Sequence, residues 1–375
     1  MSAADSEVIN KLDSIVTTNL TSLEPIGPAK GIEKYLRHKE TEVRPQTIKE
    51  YKRKLSHFKD FCERKSIENL NQLNGRLVDD FRQYRRTETG SQEGPLSTKT
   101  MNDDMYLLQD FLSYLGSIEG VPADLSSKVE VPDLGSGDGV RDISIDSKRV
   151  ERILEYLDKY EYATRPHVVW LFHAHTGRRP SGMFAIDVSD LYLDADRPYI
   201  EIRHREGETE LKNGEDGEAE VFLSDYVAEV FSDYLESNRT DVATSNDRRP
   251  FLTSSQGRLS KSTMRKYVYK YSRPCVLTNE CPHDRDIETC EAAQSVDAAS
   301  KCPTSRPPYA LRHGYITSKR GDGVPDRFIS GRCDVSPAVL DKHYDERDET
   351  EKRQLRQEVF NEIRDDAEAD NGGYL

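Results

Sequence analysis

The strongest constraint on this chain is a spacing of three and four between apolar residues, repeated through positions 30–115. Between Pro45 and Arg64, the residues Ile48, Tyr51, Leu55, Phe58 and Cys62 fall on one helical face. Between Thr98 and Leu115, Met101, Met105, Leu108, Phe111, Leu112 and Leu115 do the same. Ser97 is placed there as an N-cap and Gly116 as a C-terminal stop. Shorter stretches of the same kind run over Lys30–His38 and Val78–Arg86. Stripes of this kind are stable only when packed against one another. Residues 25–120 therefore read as a compact four-helix domain, with 1–24 as a flexible arm ahead of it.

Pro122, Pro132, Gly135, Gly137 and Gly139 then break the pattern, and 121–145 reads as a linker. A second domain is expected over 146–365. It opens on a helix carrying Val150, Ile153, Leu154 and Leu157, capped at Asp146 or Ser147. A buried helix, Val168–His175, stops at Gly177. Two β-type runs, Tyr199–Arg203 and Glu220–Leu223, flank a polar, glycine-containing stretch and predict a hairpin. Another helix carries Val227, Val230, Phe231, Tyr234 and Leu235. Residues 366–375 read as a disordered tail. The fold class is mainly α, a helical domain followed by an α-rich domain with a small antiparallel sheet.

Composition narrows the partners. The chain has 375 residues, 35% of them hydrophobic and 33% charged, which leaves room for two cores. No apolar run approaches the ~20 residues of a membrane helix, so no membrane partner is expected. The polar, acidic start (Met1–Ile9) does not read as a signal peptide. Six cysteines are too few for a disulfide scaffold, and a reducing cytoplasm is the expected location. Net charge is −14, but residues 26–120 carry 17 basic and 15 acidic residues, leaving 37 and 53 elsewhere. The excess acid thus spares the first helical domain, and a halophilic source is expected, where salt mutes self-repulsion.

Four short elements carry candidate chemistry. They are His175-Thr176-Gly177-Arg178-Arg179-Pro180, Leu211-Lys212-Asn213-Gly214 on the hairpin, Tyr309-Ala310-Leu311-Arg312-His313-Gly314, and Leu340-Asp341-Lys342-His343-Tyr344. In order they supply Arg, Lys, Arg and Tyr. Singly, each reads as a surface charge or a packing tyrosine. The ordered set resembles the tyrosine recombinases, or phage integrases, in their Xer-like haloarchaeal branch. Thr176, Gly177 and Arg179 meet the TGxR motif, Lys212 the hairpin lysine, Leu311-Arg312-His313 the HxLRH box, and Tyr344 the nucleophile, 32 residues after Arg312. The family's opening histidine is Tyr309 here, and the Gly-His before its nucleophile is Gly331-Arg332.

The resemblance implies a SAM-like core-binding domain followed by a catalytic domain that together clamp duplex DNA. It implies no cofactor for catalysis. Arg179 and Arg312 would grip nonbridging phosphate oxygens in bidentate forks. Arg332 and Tyr309 would donate hydrogen bonds, Tyr309 being a poor base. Tyr344 would attack to form a covalent 3′-phosphotyrosine, and Lys212 would protonate the leaving 5′ oxygen. Arg203, His204 and Arg205 share the hairpin with Lys212 and are its rivals. A homo-tetramer on DNA follows from kinship alone.

Other residues bear on binding. Lys49, Lys52 and Arg53, with Lys54 and Lys59, form a basic face, and Arg82 lies on another. Arg265, Lys266 and Lys270 interleave with Tyr267, Tyr269 and Tyr271. These are candidate contacts to DNA phosphates. The amphipathic stretch Glu351–Ile363, with Leu355, Val359 and Phe360, is a candidate oligomer contact. Cys275, Cys281, His283, Cys290 and Cys302 form a C-x5-C-x-H-x6-C-x11-C array in a segment, 275–302, poor in core residues. Thiolate and imidazole donors suit a structural zinc, with Cys275 and His283 competing for the fourth place. The rival readings are a non-catalytic DNA-binding relative, a relaxing topoisomerase with the same chemistry, and a zinc-stapled interaction module.

Overall fold

The structure, a computed structural model, describes residues 23–87, 94–135, 143–242 and 246–344, together with 353, 357 and 361. The chain divides into two units, one ending at Arg141 and the other starting at Asp142. The arm over 1–22, the tail, the middle of the linker and the amphipathic stretch Glu351–Ile363 lie outside the described residues, apart from three positions of the last.

The N-terminal unit packs four helices, α1 (Pro28–Lys39), α2 (Pro45–Arg64), α3 (Gly75–Thr87) and α4 (Thr98–Ser117). Proline opens α1 and α2, where its missing N–H costs nothing. Ser97 opens α4, its Oγ accepting from the Thr100 N–H at 3.2 Å. The stripes meet in a core of Tyr35, Leu55, Phe58, Phe61, Phe81, Met105, Leu108 and Phe111. Phe58 meets the Phe81 ring edge-on, with centroids 5.2 Å apart.

Two expectations give way here. Gly116 does not end α4; the helix runs to Ser117, Glu119 takes the left-handed conformation, and the Gly120 N–H closes on Leu115 O at 2.9 Å. The expected linker from 121 is partly domain. Val121, Leu125 and Val129 are buried in the same core, and Asn102 donates to Pro132 O at 2.7 Å. Three apolar residues among prolines show no helical period, so their burial leaves no trace in the sequence pattern.

The C-terminal unit is built around α6 (Arg165–Thr176), apolar on most sides and buried at Val168, Val169, Trp170 and Phe172. Before it comes α5 (Ser147–Tyr160), whose cap Asp146 accepts from the Arg149 N–H at 2.9 Å. After it come α7 (Pro180–Ala185) and a three-stranded antiparallel sheet of β1 (Leu191–Tyr192), β2 (Tyr199–Ile202) and β3 (Ala219–Phe222). Ile200 pairs with Val221 and with Leu191. The two-residue β1 is too short to show alternation and is absent from the sequence reading. Then follow α8 (Asp225–Asp233), a β4–β5 ribbon (Thr253–Ser254, Gly257–Arg258) and α9 (Lys261–Tyr271). The last helices are the short α10 (Pro274–Thr278) and α11 (Glu291–Gln294), then α12 (Pro308–Gly321), α13 (Asp326–Cys333) and α14 (Pro337–Tyr344). Among the described residues, no helix is long and apolar enough to cross a membrane.

Candidate active site

The site begins where α6 ends. Gly177 is left-handed at φ 64, a conformation that frees the chain to reverse. A Cβ there would lie 2.5 Å from Tyr315 Cδ1 and 2.9 Å from Cys333 Sγ, so the turn is pressed against α12 and α13. Gly314 has a similar need, since a Cβ would stand 2.6 Å from Ile145 O. The first approach brings the start of α7 beside α12, and the second seats α12 on the chain just ahead of α5.

Arg312, on α12 and buried, holds the junction together. Its Nη1 donates to Gly177 O at 2.9 Å and to Cys333 O, and its Nη2 donates to Asp334 O at 3.2 Å. Arg179, the N-cap of α7, donates through Nη1 to Asp334 O at 2.5 Å and to Asp334 Oδ2 at 2.7 Å. Burial, and then the charge of Arg312, hold the Arg179 guanidinium below its ordinary range.

Tyr344 closes α14, is 3% exposed, and packs its ring 4.9 Å from that of His313. Tyr309, at the start of α12, is exposed and lies within electrostatic reach of Tyr344. Burial of its hydroxyl, and then the influence of Tyr344, push it up to about 12. Near neutral pH it is a donor. Arg179, Tyr309, Arg312 and Tyr344 thus meet, though up to 165 positions separate them. Two fixed cations beside a phenol can hold a phosphate and present an oxygen nucleophile to it.

Lys212 is exposed and, among the described residues, forms no hydrogen bond or ion pair. Its neighbour Asn213 reaches the site, donating to Asp334 Oδ1 at 2.7 Å. The rivals are committed elsewhere. Arg205 pairs with Asp190 at 2.6 Å, Arg203 with Glu201, and His204 Nδ1 accepts from the Leu211 N–H at 3.1 Å. Arg332 is engaged away from the arginine pair. Its guanidinium stacks 4.1 Å from the Phe222 centroid and donates to Tyr315 Oη at 2.8 Å and His175 O at 2.9 Å.

Two residues to which the sequence assigned no role belong to the site. Arg178 is buried, and donates to Gly217 O at 2.7 Å and Gly331 O at 2.9 Å, bracing the hairpin against α13. Burial brings it down to about 10. Asp334 is the common acceptor of Arg179, Arg312 and Asn213. The Arg178–Arg179 doublet hinted at the first; nothing in sequence marks the second.

A family model described as a phage integrase SAM-like domain matches residues 30–114, the span of α1–α4. Over 29% of this chain and 99% of its own, an N-terminal domain of a phage integrase/site-specific recombinase from Haloarcula marismortui is 32% identical, with a TM-score of 0.27. The Tn1549 transposon integrase, as a singly substituted fragment in complex with a circular intermediate DNA, is 13% identical with a TM-score of 0.63. The match covers 89% of this chain and 99% of that one. A lambda integrase dimer bound to a COC′ core site is 11% identical with a TM-score of 0.58, covering 90% and 82%. No match was found among curated proteins. The chain belongs to the tyrosine recombinases, the phage integrase family.

The basic faces of the chain are partly spoken for. Lys49 and Lys52 are exposed, while Arg53 bonds Glu50 at 3.1 Å and Arg82 bonds Glu130 at 3.0 Å. Lys54 leaves the face altogether. It pairs with buried Asp104 at 3.1 Å, which Arg85 meets at 2.9 Å. On α9, Arg265 is exposed, Lys266 pairs with Asp297 at 2.6 Å, and Lys270 lies over the Tyr271 ring.

The six cysteines are all free thiols. Cys275, Cys281, His283, Cys290 and Cys302 line one small cavity together with Arg273 and Arg285. His283 Nε2 and Cys302 Sγ both meet Thr304 Oγ1, at 3.2 and 3.6 Å. N–H groups of Ala293 and Ala292 and the Arg285 side chain draw the Cys290 thiol below its ordinary range. As arranged, no three His, Cys, Asp or Glu side chains among the described residues are grouped as a metal site.

Proposed function

We propose that this protein is a site-specific DNA recombinase that cuts and rejoins duplex DNA through a covalent 3′-phosphotyrosine at Tyr344. The observation that carries the reading is the meeting of Arg179, Arg312 and Tyr344 at one place in the C-terminal unit. The Tyr344 phenol oxygen attacks the scissile phosphorus as its own proton passes to solvent, and the P–O5′ bond breaks as the 5′ oxygen takes a proton from Lys212. Arg179 and Arg312 neutralise the charge that builds on the nonbridging oxygens. Losing one such preorganised donor costs ~100- to 1000-fold in rate. Tyr309 donates to the Tyr344 oxygen and orients it. A 5′-hydroxyl of a second duplex then attacks the phosphotyrosine and returns its proton to the neutral Lys212, while the departing Tyr344 oxygen regains a proton from solvent, so that each direction balances.

Lys49, Lys52 and Arg265 are the exposed cations that best suit phosphate contacts, and a homo-tetramer is the assembly proposed for exchange between two duplexes. The acidic surface outside 26–120 supports a salt-rich cytoplasm as the working environment. The test is covalent capture from a pool of nicked suicide duplexes with random inserts. A denaturing gel should show a protein–DNA adduct that Tyr344→Phe abolishes while equilibrium binding survives. Binding to the enriched sites without any adduct would favour a non-catalytic relative.

A structural zinc is proposed at the cavity lined by Cys275, Cys281, His283, Cys290 and Cys302. Convergence of five soft donors from a 28-residue segment on one cavity supports it. The side chains would have to rotate inward to bind. Four donors chosen from this set would staple the segment to α9. Purified, reduced protein should hold about one zinc per chain and lose thermal stability with a chelator. Metal-free protein of equal stability would end the idea.

A further inference from the structure

We infer that Asp334 is an internal stand-in for the scissile phosphate, and that DNA must displace it before cleavage. The inference rests on Arg179 and Arg312 being the phosphate-binding pair. Asp334 follows α13 in the left-handed conformation, φ 55 and ψ 62, which asparagine and aspartate tolerate better than other side chains. That geometry turns both its carbonyl and its carboxylate toward the arginines. Oδ2 accepts from Arg179 at 2.7 Å and Oδ1 from Asn213 at 2.7 Å, while the main-chain oxygen accepts from Arg179 at 2.5 Å and Arg312 at 3.2 Å. Two carboxylate oxygens and a carbonyl oxygen thus fill the donors that three phosphate oxygens would otherwise use.

The charges make the same point. Arg178, Arg179 and Arg312 crowd this place, and Asp334 is the acid that raises the first two against their burial. The Asp334 side chain is 11% exposed, and its neighbours are Arg179, Asn213 and Gly217. A carboxylate so placed keeps two buried guanidinium groups compatible while no DNA is bound. A phosphodiester brings a competing negative charge to the same donors. Displacement then costs binding energy, which a correct site with many further contacts supplies and a passing duplex does not. Asp334 therefore sets a threshold for cleavage and acts as a specificity residue. The hairpin is coupled to the exchange, because Asn213 lets go of the carboxylate next to Lys212.

The test uses the full chain and its Asp334→Asn variant, with Asp334→Ser as the second variant. Inorganic phosphate is titrated first, as a probe of the arginine pair that needs no cleavage. Both variants should bind phosphate about 10- to 100-fold more tightly, the range of one charge-assisted hydrogen bond. They should also unfold at lower temperature, since the arginines lose their counter-charge. On the suicide-duplex pool, the variants should form adducts faster and on a wider set of sequences. A gain in affinity with a loss in stability is the signature of a displaced internal anion. A residue that merely holds Arg179 in place would lose both. Phosphate affinity unchanged or weaker in the folded variants overturns the inference. If neither variant folds, Asn213→Ala must show a smaller gain of the same sign, and no gain there overturns it equally. Tighter phosphate binding with no adduct in any variant would leave the Asp334 inference standing and sink the recombinase chemistry instead.

Discussion

Replacing Gly177 by alanine tests whether the turn at the end of α6 is set by space. Two costs can be worked from the structure. At φ 64 an L-residue loses about 1–2 kcal/mol relative to glycine. The new methyl would stand 2.5 Å from Tyr315 Cδ1 and 2.9 Å from Cys333 Sγ, and overpacking of this kind costs about 1–3 kcal/mol. Ala163 already sits at φ 50, so backbone strain alone is tolerated in this fold and the contact dominates. Together the costs come to about 2–5 kcal/mol, which lowers Tm by roughly 4 to 20 °C in a domain of this size. The assay is thermal unfolding at fixed salt, followed by circular dichroism. Adding Tyr315→Ala to the variant should recover part of the loss, because the displaced ring is removed. A Tm within about 2 °C of the parent, or no recovery in the double variant, would mean that space does not set this turn.

Other predictions concern charge. Arg312→Lys should slow adduct formation ~100-fold or more, since an ammonium cannot span Gly177 O, Cys333 O and Asp334 O in one planar fork; single-turnover rates on a captured site would show it. Asp104→Asn takes this counter-charge from Lys54 and buried Arg85 and should cost about 3 kcal/mol, read as a shift in the denaturant midpoint. Burial holds His173 down to about 4, against an ordinary value of 6.5. Unfolding exposes a ring that takes up a proton the folded state refuses, so stability falls as pH drops from 6.5 toward 4. The slope is at most about 1.4 kcal/mol per pH unit for this group. Denaturant midpoints across that range should fall less steeply in His173→Gln, and parallel slopes would contradict the assignment.

Much of the fold could be read before the structure because it is local. Ser97 and Asp146 each satisfy a free N–H a few residues on, and the Gly177 stop follows from one backbone angle. The stripe on α2 reports that Leu55 and Phe58 are covered, but not by what. For the same reason Lys54 and Arg85 look like surface charges, although Asp104 on α4 draws both inward. Pairings of this kind depend on residues dozens of positions apart. Among the site residues, Arg179, Arg312 and Tyr344 could be picked out because their order and spacing match a known pattern. Asp334 could not, since its role comes from a left-handed turn that aims one ordinary acid at two arginines. Arg332 fits the motif by position, yet its donors are used by Tyr315 and His175, which only the packing of α13 against β3 reveals.

Everything proposed for the site requires one phenol oxygen to become bonded to DNA. Digestion of a trapped adduct, with the attached nucleotide located by mass spectrometry, shows that bond. A single modified peptide is expected, carrying a 3′-linked phosphate on Tyr344. Attachment to Tyr309 or any other residue, or a 5′ linkage on Tyr344, would contradict it.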